Sequence, residues 1–100
     1  MNFQIEKDKL VKTLTRISSL YSEQADIEIL ECLYLEAVNN SLIIKSTNLM
    51  CKMICNLTAE IKEEGRTIVN FKSLYGIVKN LPNAKLSFYI ENNQLIIKTN

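Results

Sequence analysis

Polar and apolar residues alternate over residues 2–6 (Asn-Phe-Gln-Ile-Glu), which places Phe3 and Ile5 on one face of a short strand. From Lys7 the period lengthens. Leu10, Leu14 and Ile17, with Val11 beside them, predict a helix over 7–20, with Lys9, Lys12, Thr13 and Arg16 on its opposite side. A polar stretch over 22–26 reads as a loop. Alternation returns over 29–38, where Leu33, Leu35 and Ala37 face one way and Cys32, Tyr34 and Glu36 the other. A return strand covers 41–47, and a longer strand is expected over 49–61. The odd positions of that strand (Leu49, Cys51, Met53, Cys55, Leu57, Ala59 and Ile61) form one apolar face. Lys62 to Gly65 reads as a turn. A strand over 66–70 follows, then a helix over 71–81 with Leu74, Ile77, Val78 and Leu81 expected inside. Pro82 stops that helix, and a hairpin spans 85–91 and 94–99.

The order of elements therefore occurs twice. Asn39-Asn40-Ser41-Leu42-Ile43-Ile44-Lys45 and Asn92-Asn93-Gln94-Leu95-Ile96-Ile97-Lys98 are near copies, each an Asn-Asn pair leading into an apolar strand. Asparagine tolerates the left-handed backbone that two-residue hairpin turns require, so both copies predict the same tight turn. Unit one covers 1–61 and unit two 66–100 of a single domain. The second unit lacks a counterpart to the strand at 49–61, so the chain reads as a truncated fragment whose last strand is missing. The fold class is α+β, with both helices packed on one face of a mainly antiparallel curved sheet.

The net charge of +1 excludes a strong global field, but the charge is unevenly placed. The two helical segments carry Lys7, Lys9, Lys12, Arg16, Lys72 and Lys79 against Asp8, a net of +5, and the rest of the chain has a net of −4. Lysine and arginine are good helix formers that commonly line a solvated face. The alternative is a surface that meets phosphates without reading sequence, since no aromatic residues are interleaved for base stacking.

Catalytic chemistry finds little footing. Histidine is absent, which removes the commonest general base and a common zinc ligand. Cys51 and Cys55 stand four apart on an expected strand, about 13 Å, too far to share a metal ion. They are expected as core residues, and with Cys32 they make an odd number of cysteines that fits a reducing cytosol. Glu63-Glu64 and the Glu28/Glu31 pair read as solvated carboxylates, and Gly65 and Gly76 are too isolated for a phosphate-cradling loop. Tyr34 and Tyr89 are expected at equivalent places in the two hairpins, packing on sheet faces. No apolar run approaches the roughly 20 residues of a membrane span.

The run Ile29-Leu30-Glu31-Cys32-Leu33-Tyr34-Leu35-Glu36-Ala37, followed after the turn by Leu42-Ile43-Ile44-Lys45-Ser46-Thr47-Asn48-Leu49, resembles the opening domain of the bacterial sliding clamp, the beta subunit of DNA polymerase III. So do Met1-Asn2-Phe3, Leu10-Val11-Lys12-Thr13-Leu14, Asn70-Phe71-Lys72-Ser73-Leu74 and Leu81-Pro82. The likeness covers the whole chain and rests on order, spacing and the internal duplication. Glu28, Glu31 and Asn48 depart from the family pattern, which has Pro, a small residue and Asp there. Gln24 stands where the family has an arginine that approaches DNA, whereas Lys72 and Lys79 match basic positions.

The resemblance implies a non-catalytic replication processivity factor in the bacterial cytoplasm, with no cofactor and no metal. Such a ring encircles duplex DNA without sequence preference and tethers the replicative polymerase. Its DNA-facing residues here would be Lys9, Lys12, Arg16, Gln24, Lys72 and Lys79, with Arg16 and Lys72 as the leading loose phosphate contacts. Ser73 and Ile77 on the second helix would meet a second clamp subunit. The replicative polymerase and the clamp loader would be partners through domains outside this chain. An α+β protein-interaction module that offers the edge strand at 94–99 is the alternative reading.

Overall fold

The computed structural model describes residues 1–19, 32–47 and 51–99. Its elements are β1 (Asn2–Glu6), α1 (Lys7–Ser18), β2 (Cys32–Val38), β3 (Ser41–Thr47), β4 (Lys52–Thr58), β5 (Glu60–Glu63), β6 (Gly65–Asn70), α2 (Phe71–Val78), β7 (Lys85–Glu91) and β8 (Gln94–Thr99). The strands form two antiparallel four-stranded sheets, in the orders β5-β1-β7-β8 and β4-β3-β2-β6.

The duplication is realised by exchange. β1, from the first unit, pairs with β7 of the second, with Ile5 opposite Leu86. β6, from the second unit, pairs with β2 of the first, with Val69 opposite Leu33. Each sheet thus contains strands of both units, and neither unit can close its core alone. The two copies do not keep one spacing. Phe71, which opens α2, lies 64 residues after Lys7, which opens α1, whereas Asn92 lies 53 after Asn39. A shorter second helix and a shorter connection between it and the hairpin together account for the difference.

One core joins both sheets and both helices. Phe3, Ile5, Leu86 and Phe88 come from the first sheet and Leu33, Leu35, Ala37, Leu42 and Ile44 from the second. Leu10, Leu14 and Ile17 of α1 and Phe71, Leu74 and Val78 of α2 fill the space over them. Phe3 and Phe88, paired across β1 and β7, stack with ring centroids 5.0 Å apart. Among the described residues both Asn-Asn turns have left-handed backbone at both positions, with φ of 50° and 61° at Asn39 and Asn40 and 52° and 65° at Asn92 and Asn93.

Several expectations need correction. The strand expected over 49–61 is two strands, β4 in one sheet and β5 in the other. The break falls at buried Ala59, whose N–H donates to the carbonyl of Asn40 at 3.1 Å. A strand that changes sheets must bend at the corner, and a small side chain allows the close approach there. The expected turn at 62–65 is tighter, since β5 runs to Glu63 and β6 begins at Gly65.

Thr13 was expected on the solvent side of α1 but is only 4% exposed. Thr13 is buried with Leu10, Leu14 and Ile17, so the buried arc of the helix is wider than its aliphatic stripe. Helix α2 ends at Val78, not Leu81: the Asn80 and Leu81 N–H groups bond to the carbonyls of Ile77 and Val78, three residues back, so the chain tightens into turns ahead of Pro82. Ile77, expected inside, is 51% exposed. Cys51, expected in the core, is exposed, as is Cys32, whereas Cys55 is half-buried and packs against the core.

Tyr34 and Tyr89 are not equivalent. Tyr34 stands directly opposite Lys45, whereas Lys98, the counterpart of Lys45, stands opposite Ser87, two residues before Tyr89. Both lysines nonetheless lie over a tyrosine ring, at 5.1 Å and 5.4 Å.

Candidate nucleic-acid interface

The two helices begin by different means. The carboxamide of Asn70 accepts the Ser73 N–H at 2.9 Å and caps α2. Helix α1 follows Glu6 without a side-chain cap, and the Lys7 N–H is satisfied by the carbonyl of Ala84 at 3.0 Å. Each helix follows directly on the last residue of a strand, so sheet geometry fixes where the helices start.

They lie side by side. The Thr15 and Tyr75 hydroxyls share a hydrogen bond of 2.9 Å across the seam, and the Tyr75 ring stacks on Phe71 beneath it. The Lys79 ammonium sits 5.3 Å over the same ring. A tyrosine thus occupies the middle of the helical surface, with a cation held beside it.

Helical rotation sorts the remaining side chains. Lys9, Lys12 and Arg16, spaced i, i+3 and i+7, form one strip along α1 and are all exposed. Lys72 on α2 and Lys79, which immediately follows its last residue, lie seven apart and are both exposed. The only acidic residue in either helix is Asp8, so the surface is positive along its length. Lys9 also reaches the end of the sheet, where it lines a small cavity with Glu60 and Lys85.

Ser73 and Ile77 point elsewhere. They lie on the flank of α2 away from the seam and line a groove with Val69, Asn70, Leu95 and Ile97, beside the edge strand β8. The residues expected to meet DNA and those expected to meet a second subunit therefore occupy different sides of one helix. Gln24, Glu28 and Glu31 lie outside the described residues. The sequence reading missed the seam pair, Thr15 and Tyr75. The available signal was Tyr75 standing one residue beyond the buried Leu74 and four before Lys79, where its ring can reach both.

Of the carboxylates considered for catalysis, Glu63 and Glu64 have structural work. Glu63 accepts the Met1 ammonium at 2.8 Å, and that contact holds its carboxyl below the ordinary carboxylate range. Glu64 accepts the Asn39 N–H at 3.1 Å. Glu60 and Lys85 pair at 2.9 Å. None of them stands on the helical surface, and among the described residues no three His, Cys, Asp or Glu side chains gather as a metal site. No described helix is long and apolar enough to cross a membrane.

Residues 1–100 match the family model described as the DNA polymerase III beta subunit, N-terminal domain. The beta sliding clamp of Salmonella typhimurium is 25% identical over 101 residues, covering 99% of this chain and 28% of that protein. That of Proteus mirabilis is 27% identical with the same coverage. The Caulobacter crescentus pol III beta structure superposes with a TM-score of 0.90 at 29% identity, covering 100% of this chain and 27% of its own. The chain thus spans little more than a quarter of the length of the relatives it matches.

Proposed function

From the premise that this chain belongs to the DNA polymerase III beta subunit N-terminal domain family, we propose that it serves as the first domain of a ring-shaped sliding clamp on duplex DNA. In that role it performs no bond chemistry and works in the bacterial cytoplasm. It lines part of the hole with α1 and α2, and the ring tethers the replicative polymerase by topology rather than by affinity. One observation carries the reading: Lys9, Lys12, Arg16, Lys72 and Lys79 are all exposed on two helices that lie side by side. Long cationic side chains on a helix meet phosphates loosely and read no base edges, which suits a protein that must move along the duplex.

Ser73 and Ile77 are the residues we assign to contact with a second clamp subunit. The support is the apolar groove they share with Leu95 and Ile97 next to β8, whose outer edge is unpaired among the described strands. The same edge would accept a strand from an unrelated partner, the competing interaction-module reading. The two readings separate by substitution. Changing Lys9, Lys12, Arg16, Lys72 and Lys79 to glutamine should flatten the fall of duplex affinity with rising salt, by about one slope unit for each phosphate left without its cation. Fluorescence anisotropy of a labelled duplex across a salt series measures this. An unchanged slope would remove DNA from the role of these helices.

A further inference from the structure

Beyond the helical surface, the two sheets differ on the sides turned away from the core. Strand alternation and register give the outward rows directly. On the sheet β4-β3-β2-β6, one row runs Ile68, Tyr34, Lys45, Ile54 across all four strands. Ile68 is 68% exposed and Ile54 is 57% exposed. They are two of the three large apolar side chains so exposed among the described residues, and the third, Ile77, belongs to the groove beside β8. Tyr34, Lys45, Lys52 and Ile68 border a hollow of about 250 Å³ on this face.

The charge on this face is as uneven as its apolarity. Among the described residues Lys45, Lys52 and Arg66 point outward against Glu36, with Glu64 beside Arg66 and Val38 at one end of the face. Glu36 accepts the Tyr34 hydroxyl at 3.0 Å and stands opposite Arg66, and Glu64 accepts the Asn39 N–H at 3.1 Å, so both carboxylates lie toward one end of the face and Lys45 and Lys52 toward the other. The Lys45 ammonium is held at 5.1 Å from the Tyr34 ring, in the middle of the apolar row. The outward side of the other sheet also has a lysine over a tyrosine, Lys98 at 5.4 Å from Tyr89, but among the described residues no large apolar side chain there is as exposed as Ile54 or Ile68. Gln4 bonds Ser87 there at 3.2 Å, and Lys85 is matched by Glu60.

We propose that the outward face of β4-β3-β2-β6 is a docking surface for an acidic, aliphatic segment of a partner protein. Aliphatic side chains of that segment cover Ile54, Ile68 and the hollow beside Tyr34, and its carboxylates meet Lys45 and Lys52. Exposed apolar patches rimmed by charge of one sign mark surfaces that await a complementary partner. This face lies away from the cationic helices and from the groove beside β8, so its use is compatible with DNA on one side of the domain and a neighbouring subunit at its edge.

The test titrates the chain with a labelled short peptide of alternating leucine and glutamate, followed by fluorescence anisotropy, beside the same peptide with lysine for glutamate. The acidic peptide is expected to bind at least about tenfold more tightly. Ile54→Ser with Ile68→Ser, and separately Lys45→Glu, should each weaken it about fivefold or more. Both isoleucines are exposed, so circular dichroism and the melting temperature should stay as in the parent chain. Equal affinity for the two peptides, no saturable binding, or binding that survives both substitutions would overturn the proposal. So would a concentration-dependent dimer, seen by sedimentation, that Ile68→Ser abolishes, since the face would then belong to a second copy. Binding to phosphatidylglycerol vesicles through Ile54 and Ile68 without peptide binding would likewise overturn it.

Discussion

The Thr15 and Tyr75 hydroxyl oxygens, 60 residues apart in sequence, lie 2.9 Å apart across the seam between α1 and α2. The bond joins the two units on their cationic side and fixes the spacing of the strips that carry Lys9, Lys12 and Arg16 and Lys72 and Lys79. Tyr75→Phe keeps the ring under Lys79 and removes only the hydrogen bond. The bond is exposed, so the loss should be about 0.5–1.5 kcal/mol at most, read by urea denaturation. Thr15→Val alone should cost a similar amount. The double variant should cost less than the two together if the bond is the shared cause.

Gly65 and Gly76 should respond in opposite directions to alanine. A Cβ at Gly65 would lie 2.8 Å from Met1 Cβ and 3.0 Å from Met1 Cα, where the start of the chain passes close to β6. Gly65→Ala should therefore destabilise by about 1–3 kcal/mol. A Cβ at Gly76 in α2 meets nothing within 4 Å, so Gly76→Ala should stabilise the helix by about 0.5–1 kcal/mol. Thermal melts of the two variants check both signs.

The hairpin turns give a third expectation. Asn93 has φ of 65°, a region that glycine enters freely and a β-branched residue avoids. Asn93→Gly should be neutral or slightly stabilising, while Asn93→Val should cost about 1–2 kcal/mol. Asn40, at 61° in the first hairpin, should behave in the same way. Chemical denaturation of the four variants measures it.

Acid sensitivity should trace partly to Glu60. Its hydrogen bond to Lys85, and then the charge of that lysine, lower its pKa from the ordinary 4.5. A carboxyl with a depressed folded-state pKa contributes stability above its ordinary value and loses it as pH falls through the folded one. Lys85 is raised from 10.5 by the same contact, so its contribution persists below that value and fades only as pH rises beyond it. Melting temperature should therefore drop below about pH 4.5 from this source, and Glu60→Gln should shallow that drop. Both groups are exposed, so the change is small.

The amino-acid pattern alone determined the elements and their repetition. Alternation over 2–6 and 33–37, the helical spacing of Leu10, Leu14 and Ile17, and the paired asparagines are local signals, and local backbone physics is enough to interpret them. The five exposed cations were legible for the same reason, because helical spacing places them opposite an apolar stripe. Tertiary packing decided what periodicity cannot encode. The segment after Cys51 kept an apolar face throughout, yet it bends at Ala59 and serves two sheets, because two twisted sheets around one core need a strand to turn the corner. Exchange of β1 and β6 between the units is a long-range pairing with no local signature. Burial of Thr13, exposure of Ile77 and the meeting of Thr15 with Tyr75 all depend on how deep each helix sits and on which neighbour flanks it.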